Sequence, residues 1–433
     1  MALTLTAAGC SGSSGGGSAG GASCDGQIDQ SVTIESFYHG GGEEKDAFLG
    51  IVEAFNASQD EVTVDVQSVP EGTYNDSVQA AAASGELPEV LDFDGPNLYN
   101  YAWNGNLIPL DECLEQSTVD RLLPSIVEQG TYNGQLYGVG AFDSGVVLYA
   151  YRSALEEVGA RIPEGIEDAW TAEEFTTILG DLQEQGYDNP LDLHMWYGRQ
   201  GEWFSYAFSP IVQSAGGDLI DRSDYQTARG ALDTPEVVDA MTTFQSWFTN
   251  GYVNVEAQDD TPFLRQESPI AWNGMWAYAT GYEEAVGDDL AVIPLPDFGT
   301  GSKTGMGSWQ FGITSGAEDP DAAAAFLEFL LSQENLLTMY EAVGAPPSTD
   351  VALAETDIYS ADGPMHIVTD ALNEAPEIAV PRPQTPAYPT ITQSFAQAID
   401  DISQGGDVQE ALEAAVESID QDIEDNGGYP IQE

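Results

Sequence analysis

Aromatic and polar side chains alternate in one short stretch of this chain in a way that suits the recognition of a sugar. Trp196 and Trp203 flank Arg199 and Glu202. Flat aromatic rings can stack on the apolar face of a pyranose, while carboxylate and guanidinium groups hydrogen-bond its hydroxyls. Each tryptophan could equally anchor a hydrophobic core. The stretch therefore indicates either a carbohydrate-binding surface or a packed interior.

Three charged residues stand at positions where a charge needs a partner. Asp94 ends an apolar strand pattern and precedes a Gly-Pro turn. A carboxylate there is costly to bury unless it is paired or binds a ligand. The alternative is a turn aspartate that caps its own loop, and Asp143 has the same two interpretations. Arg382 is one of only ten basic residues, and it could either reach a binding cleft or form a stabilising ion pair.

The first hundred residues predict a β-α-β-α-β unit that would position some of these side chains. Strand patterns cover 32–38, 62–66 and 90–93, and helical patterns lie between them. This order implies right-handed crossovers and a parallel sheet, in which ligands bind beyond the carboxyl ends of the strands. Tyr38 and His39 lie at one of those ends, so both could line a ligand site.

The length and the later patterns predict a second lobe. At 433 residues the chain is too long for one simple core. The strand pattern over 138–151, interrupted near Asp143, is typical of a strand that passes from one lobe to another. Residues 152–290 are mostly helical in pattern, and new strands follow at 291–295 and 309–314. No apolar run reaches the roughly 18 residues that a membrane span needs.

Six short motifs occur in a fixed order along the body of the chain. They are Ala82–Val90, Asp94–Asn97, Gly105–Leu110, Trp170–Phe175, Asn273–Trp276 and Ser308–Ile313. Their order and spacing, over about residues 30 to 425, resemble those of family 1 extracellular solute-binding proteins. That family delivers sugars to ABC importers and is related to maltose-binding protein.

The resemblance implies an α/β fold with two lobes, the type II periplasmic-binding-protein fold, with the ligand cleft between them. On this basis we expect 28–142 plus 291–336 to form lobe 1, and 143–290 plus 337–433 to form lobe 2. The chain would cross the hinge more than once, and the lobes would close on a carbohydrate ligand. The partners would be the transmembrane subunits of an ABC importer, and the protein would act as a monomer.

The same resemblance implies where the ligand would bind. Trp276 and Trp309 are the residues most readily assigned to stacking, and Asp94 is similar to the cleft aspartate that accepts sugar hydroxyls. Trp272 could belong to the core. The expected ligand-binding set is Tyr38, His39, Asp94, Asp143, Trp196, Trp203, Trp276, Trp309 and Arg382.

Catalysis has little support in the sequence. The three histidines lie in unrelated contexts, without a His-Glu-x-x-His motif, and no Gly-x-Ser-x-Gly elbow occurs. Gly301–Thr304 lacks the glycine that precedes the lysine of a phosphate loop. We therefore expect no enzyme activity, cofactor or metal, with a calcium site in so acidic a chain as the alternative to the absence of metal. A glycosidase remains an alternative, and it would need two carboxylates about 5–10 Å apart across a cleft.

The charge balance excludes some partners. The chain has 73 acidic and 10 basic residues, a formal net charge of −63. Such a surface repels nucleic acid, so we expect no nucleic-acid partner. A solvated acidic surface suited to a salty environment explains the imbalance. The alternative is that the same fold binds a peptide or a cationic, polyamine-like solute.

The N-terminus resembles a bacterial lipoprotein signal. A short apolar run ends at Cys10, and residues 11–23 are only Ser, Gly and Ala. We expect 1–9 to be a truncated signal, Cys10 to carry the lipid, and 10–27 to be a flexible tether. The protein would then be anchored at the extracellular face of the cell membrane. Since no Lys or Arg precedes Cys10, an incidental cysteine in a disordered segment is the alternative.

If Cys10 is lipidated, Cys24 and Cys113 remain as a pair. An extracellular setting permits a disulfide between them. This bond would fasten the start of the folded body to the turn around Cys113.

Overall fold

The computed structural model describes residues 22–28, 32–198, 201–360, 363–367, 369 and 378–430. Cys10 and Arg199 lie outside the described residues. Within the described ranges, no helix combines the length and the apolar composition needed to cross a bilayer.

The strands alternate with helices along most of the chain. The strands are β1 (Val32–Tyr38), β2 (Val62–Ser68), β3 (Val90–Asp94), β4 (Thr131–Tyr132), β5 (Gln135–Leu136), β6 (Val146–Tyr151), β7 (Leu191–Asp192), β8 (Ile270–Gly274), β9 (Leu290–Ile293), β10 (Thr304–Met306), β11 (Trp309–Ile313) and β12 (Ala379–Pro381). The helices are α1 (Gly42–Ser58), α2 (Tyr74–Ser84), α3 (Leu98–Trp103), α4 (Gln116–Val119), α5 (Pro124–Gln129), α6 (Arg152–Glu157), α7 (Ala172–Gln185), α8 (Trp203–Ser214), α9 (Pro235–Thr249), α10 (Thr261–Leu264), α11 (Glu283–Val286), α12 (Pro320–Leu330), α13 (Gln333–Val343), α14 (Asp350–Leu353), α15 (Tyr388–Ser403) and α16 (Val408–Asp425).

The first lobe is built on a four-stranded sheet in the order β11-β3-β1-β2. Strands β1, β2 and β3 are parallel, which confirms the predicted β-α-β-α-β unit. Helix α1 buries one face, with Phe48, Ile51 and Phe55 in the core. Strand β11 adds to the edge antiparallel to β3, so Trp309 lies opposite Asp94 in the register. The sheet therefore brings together two residues that are far apart in the sequence.

The second lobe has its own four-stranded sheet, in the order β7-β8-β6-β9. Strand β6 is fully buried and pairs antiparallel with both β8 and β9. The lobe's core includes three tryptophans that are completely buried: Trp170, Trp247 and Trp272. The indole N–H of Trp272 donates to the backbone oxygen of Ala207 at 3.0 Å, so this tryptophan is a core residue.

The lobe boundaries differ from the expected ones at two places. Strand β9 hydrogen-bonds to β6, so residues 291–293 belong to the second lobe instead of the first. Helix α13 packs against α1, and Met339 and Val343 are part of the first lobe's core. The expected boundary at 337 is therefore too early, since a helix whose apolar face covers the first core continues past it.

Over the residues that the structure describes, the chain passes between the lobes three times. The first passage follows Phe142, whose backbone bridges to Pro347, and the second lies near Met306, which bridges to Gly145. The third comes after α14, because Tyr359 already packs in the second core. The two-stranded ribbon of β10 and β12 lies beside these passages. The hinge is thus made of several strands that run close together.

The predicted disulfide between Cys24 and Cys113 is present, with the two Cα atoms 5.2 Å apart. It ties the segment before β1 to the loop before α4. Both cysteines also pack against the first lobe's core.

Candidate functional site

A cleft of about 640 Å³ lies between the two lobes. This volume is within the range of about 300–1,000 Å³ that is usual for small-molecule sites. Its walls come from both lobes and from the passages between them. The side chains that define it include His39, Asp94, Trp309, Trp196, Trp203, Tyr206, Trp276, Glu202, Ser144 and Arg382.

The first lobe contributes a stacked pair of rings. The ring of His39 lies parallel to the indole of Trp309, with the centroids 3.3 Å apart and 4° between the planes. Nδ1 of His39 lies 2.5 Å from Oδ2 of the buried Asp92, and the backbone N–H of His39 donates to the same oxygen. One carboxylate thus contacts both the backbone and the imidazole of His39, and the imidazole covers one face of Trp309.

The second lobe contributes an aromatic wall. Trp196 and Tyr197 stack with their centroids 4.2 Å apart. Trp276 lies 6.1 Å from Tyr206, nearly parallel, and 6.2 Å from Trp203, nearly perpendicular. Such an array offers several flat apolar surfaces at different angles.

Gly274 permits the position of Trp276. Strand β8 ends at Gly274, and the indole of Trp276 folds back over this residue. A Cβ atom at Gly274 would lie 2.1 Å from a ring carbon of Trp276. Only glycine therefore leaves space for this placement of the ring.

The floor of the cleft is an ion-paired cluster around Arg382, which is buried. Nη2 of Arg382 donates to Oδ1 of Asp94 at 2.5 Å, and Nη1 donates to Oδ2 of Asp94 at 3.1 Å and to Oε2 of Glu202 at 3.3 Å. The same Glu202 oxygen accepts from the hydroxyls of Tyr388, at 2.5 Å, and Thr392, at 3.0 Å. Asp94 comes from the first lobe and Glu202 from the second, so Arg382 joins the two.

The burial of this cluster changes its protonation behaviour. Burial raises the pKa of Asp94 to about 6, and the Arg382 guanidinium opposes that shift. For Arg382, burial alone would lower the pKa, but Asp94, Tyr388 and Glu202 together raise it well above its usual value. The guanidinium therefore stays charged at any ordinary pH. It also lies 5.1 Å from the centroid of the Tyr206 ring, within the range of a cation–π contact.

A sequence profile of bacterial extracellular solute-binding proteins matches residues 50–366. The chain belongs to this family. Membership confirms the expected family and an extracellular or periplasmic location.

Two known relatives of this solute-binding protein are distant from it in sequence. It is 23% identical over 307 residues to the maltotriose-binding protein of Pyrococcus abyssi, an alignment that covers 68% of this chain and 61% of that protein. It is 21% identical over 388 residues to the maltodextrin-binding protein MdxE of Bacillus subtilis, covering 89% and 87%. The chain thus spans less than two thirds of the first relative.

Solved structures share the two-lobed fold. One is an ABC transporter solute-binding protein from Thermotoga lettingae, with α-D-tagatose bound. Its TM-score against this chain is 0.76 at 20% identity, and the alignment covers 90% of this chain and 99% of that one. This likeness confirms the predicted fold class.

In this solute-binding protein, seven of the nine expected ligand-binding residues line the cleft: His39, Asp94, Trp196, Trp203, Trp276, Trp309 and Arg382. Of the tryptophans, Trp203 is also part of the core, since it is buried and its indole N–H donates to the backbone oxygen of Leu193. Arg382 combines both roles that were considered for it, because it lines the cleft and forms an ion pair.

Tyr38 and Asp143 do not line the cleft. Successive strand residues point to opposite faces, so Tyr38 enters the core and stacks on Phe48 while His39 faces the cleft. Asp143 is buried at the first passage between the lobes, where it accepts from the backbone N–H of Ser144 at 2.8 Å. Burial raises the pKa of Asp143, and hydrogen bonds oppose that shift. Its role is to satisfy donors within the hinge.

Sequence reasoning missed several residues of the cleft, among them Tyr206 and Asn75. Tyr206 lies three positions after Trp203 on α8, so helical spacing alone puts both on one side. No pattern in the sequence indicated Asn75. Its place in the cleft depends on a contact with the distant Glu202, whose Oε1 accepts from the amide of Asn75 at 3.2 Å. Within the described ranges, no group of three or more His, Cys, Asp or Glu side chains is arranged to hold a metal ion.

Proposed function

We propose that this protein is a receptor that captures a carbohydrate, an oligosaccharide or glycoside, and delivers it to an ABC importer. The names of its relatives, which bind maltotriose and maltodextrin, support this class of ligand. The observation that carries the proposal is the pairing of aromatic surfaces from both lobes above a polar, ion-paired floor. Stacking suits the apolar faces of sugar rings, and the floor suits their hydroxyls.

The mechanism we propose is reversible closure of the lobes on the ligand. Trp309 would approach one side of a sugar unit and Trp276 another, so only the closed arrangement makes all the contacts. A ligand that binds the closed state better shifts the population toward it. The transmembrane subunits of the importer would then recognise that closed form.

We also propose that the protein is not an enzyme. Asp94 and Glu202 come from opposite lobes and face one cleft, and a glycosidase needs two carboxylates that flank the scissile bond. Here, however, one guanidinium engages both groups, and Glu202 accepts four hydrogen bonds from the described residues. A carboxylate held in this way is poorly available as a nucleophile or a base. Incubation with malto-oligosaccharides should release no reducing sugar beyond the level of a buffer control.

A lipid tether at Cys10 would keep this receptor, acting as a monomer, near its importer. Metabolic labelling with a fatty acid tests the tether. Label that is lost in a Cys10→Ser variant supports it, and label that survives the substitution rejects it.

Calorimetric titration against a panel of saccharides, polyamines and short peptides tests the ligand class. We expect heat from at least one oligosaccharide, with loss of at least about tenfold in affinity in Trp276→Ala, since buried aromatic anchors dominate such interfaces. A Trp103→Ala variant, which removes a tryptophan outside the cleft, should bind as the unmodified protein does. Binding of a polyamine or peptide alone would overturn the carbohydrate assignment in favour of the same fold with a cationic or peptide ligand.

A further inference from the structure

A second, smaller chamber adjoins the cleft beside Glu202. It has a volume of about 300 Å³ and lies between α2 of the first lobe and α15 of the second. This volume is at the lower end of the range for small-molecule sites. Its walls include Gln79, Asn97, Thr392 and Gln393.

The walls of this chamber carry amides, a hydroxyl and two carboxylates, those of Asp76 and Glu202. Its walls contain no aromatic side chain among the described residues. Asn97 is 3% exposed, and its Nδ2 has no hydrogen-bond partner within the described part of the chain. A buried donor without an acceptor is costly, so a ligand oxygen in the chamber would be stabilised there. Sugar hydroxyls are groups that such a surface can bind without stacking.

The two cavities share a boundary of only a few side chains. Asn75, Gly201 and Glu202 line both of them. The carboxylate of Glu202 is fixed by Arg382, Tyr388 and Thr392, whereas Asn75 makes a single bond to it, at 3.2 Å. Rotation of the partly exposed Asn75 side chain would therefore join the chamber to the cleft.

We infer that this chamber is a further subsite, which receives a hydroxyl-rich unit of an oligosaccharide whose other units lie in the aromatic cleft. This inference rests on the proposed function and deepens it. The ligand would be a chain longer than the cleft alone holds, and it would pass Glu202 and displace the Asn75 side chain. Affinity would then rise with chain length through contacts that need no aromatic ring.

A length series of malto-oligosaccharides, from maltose to maltohexaose, tests the inference by calorimetry. In the unmodified protein we expect the longest members to bind at least about tenfold more tightly than maltose, the value of one or two additional hydrogen bonds. A Gln393→Trp variant fills the chamber from an exposed position on α15. This variant should lose the tighter binding of the longest oligosaccharides, while its affinity for maltose changes less than about twofold. A Gln79→Trp variant, from the opposite wall, should behave in the same way.

A Gln409→Trp variant is the matched control, since Gln409 is an exposed glutamine on α16 outside the chamber. It should keep the full dependence on length, and equal thermal midpoints would show that all three variants fold. Affinity that does not rise with length, or a loss that is equal for maltose and maltohexaose, overturns the subsite and leaves the proposed function standing. Absence of binding by every saccharide overturns both.

Discussion

Replacing Arg382 with methionine should destabilise the protein by about 3–5 kcal/mol near pH 8, the usual cost of removing one partner of a buried ion pair. Arg382 is 3% exposed and holds both oxygens of Asp94. Methionine keeps an apolar stem of similar length but leaves Asp94 without its counter-charge. The carboxylate of Glu202 loses less of its stabilisation, because the hydroxyls of Tyr388 and Thr392 still donate to it.

The size of this effect should depend on pH. Burial raises the pKa of Asp94 in the folded protein from 3.8 to about 6. The folded state therefore binds this proton more strongly than the unfolded state does. The stability that the folded protein gains from protonation of Asp94 is complete below pH 3.8 and is lost as the pH rises through about 6.

The positive charge of Arg382 partly offsets the rise in the pKa of Asp94 that burial causes. Without this charge, the pKa of Asp94 should rise further. The destabilisation should be largest above both pKa values and should shrink on acidification. It should shrink by about 1.4 kcal/mol for each unit of additional shift.

Urea unfolding at constant, high ionic strength, followed by tryptophan fluorescence at about pH 8 and about pH 5, measures the effect. A double variant, Arg382→Met with Asp94→Asn, should be more stable than Arg382→Met alone. Its destabilisation relative to the unmodified protein should be the same at both pH values. The interaction energy of the pair should be about 0.5–3 kcal/mol.

Arg229→Met is the control, because Arg229 is 58% exposed and its nearest carboxylate oxygen on Asp233 is 3.6 Å away. It should cost no more than about 1 kcal/mol. A cost for Arg382→Met that equals this control, or one that is the same at both pH values, would refute the reasoning about the buried cluster.

Three further predictions concern the cleft and the disulfide. Trp309→Ala should weaken saccharide binding by about 2 kcal/mol, roughly thirtyfold, and an unchanged calorimetric affinity would contradict its stacking role. Gly274→Ala should displace the ring of Trp276, because the new Cβ would lie 2.1 Å from it; a shifted fluorescence spectrum and weaker saccharide binding are expected, and a variant that binds normally would show the contact to be irrelevant. Replacing Cys24 and Cys113 together by serine should lower the free energy of unfolding by about 2–5 kcal/mol, since the two cysteines are 89 positions apart and the bond closes a long loop. A urea midpoint of the unmodified protein that is unchanged by reductant, and equal to that of the double variant, would contradict this.

Much of the fold is readable from short-range patterns. The alternation in β2 and the buried face of α1 depend on side chains a few positions apart, whose periodicity determines which face meets the core. His39 and Asp94 could be located at strand ends for the same reason. The six ordered motifs then identified the family, and the expectation that Cys10 carries a lipid left Cys24 and Cys113 as the pair for the disulfide.

The lobe boundaries could not be read in this way. Strand β9 is apolar on both sides, and its sequence would suit either sheet. The choice is made by its hydrogen bonds to β6, which lies more than a hundred residues away. Helix α13 likewise has an apolar face whose partner, α1, is distant in the sequence.

The chain by itself determined the types of side chain available to the cleft: tryptophans, a few carboxylates and one scarce arginine. Only the tertiary structure decided which of them meet. Asp94 and Arg382 are 288 positions apart, and Asn75 is 127 positions from Glu202. Local propensity acts through neighbours in the chain, whereas these pairs form because two separately folded cores bring their loops to one hinge. The same principle explains Tyr38 and His39, adjacent residues that the sheet sends to opposite faces, one into the core and one to the cleft.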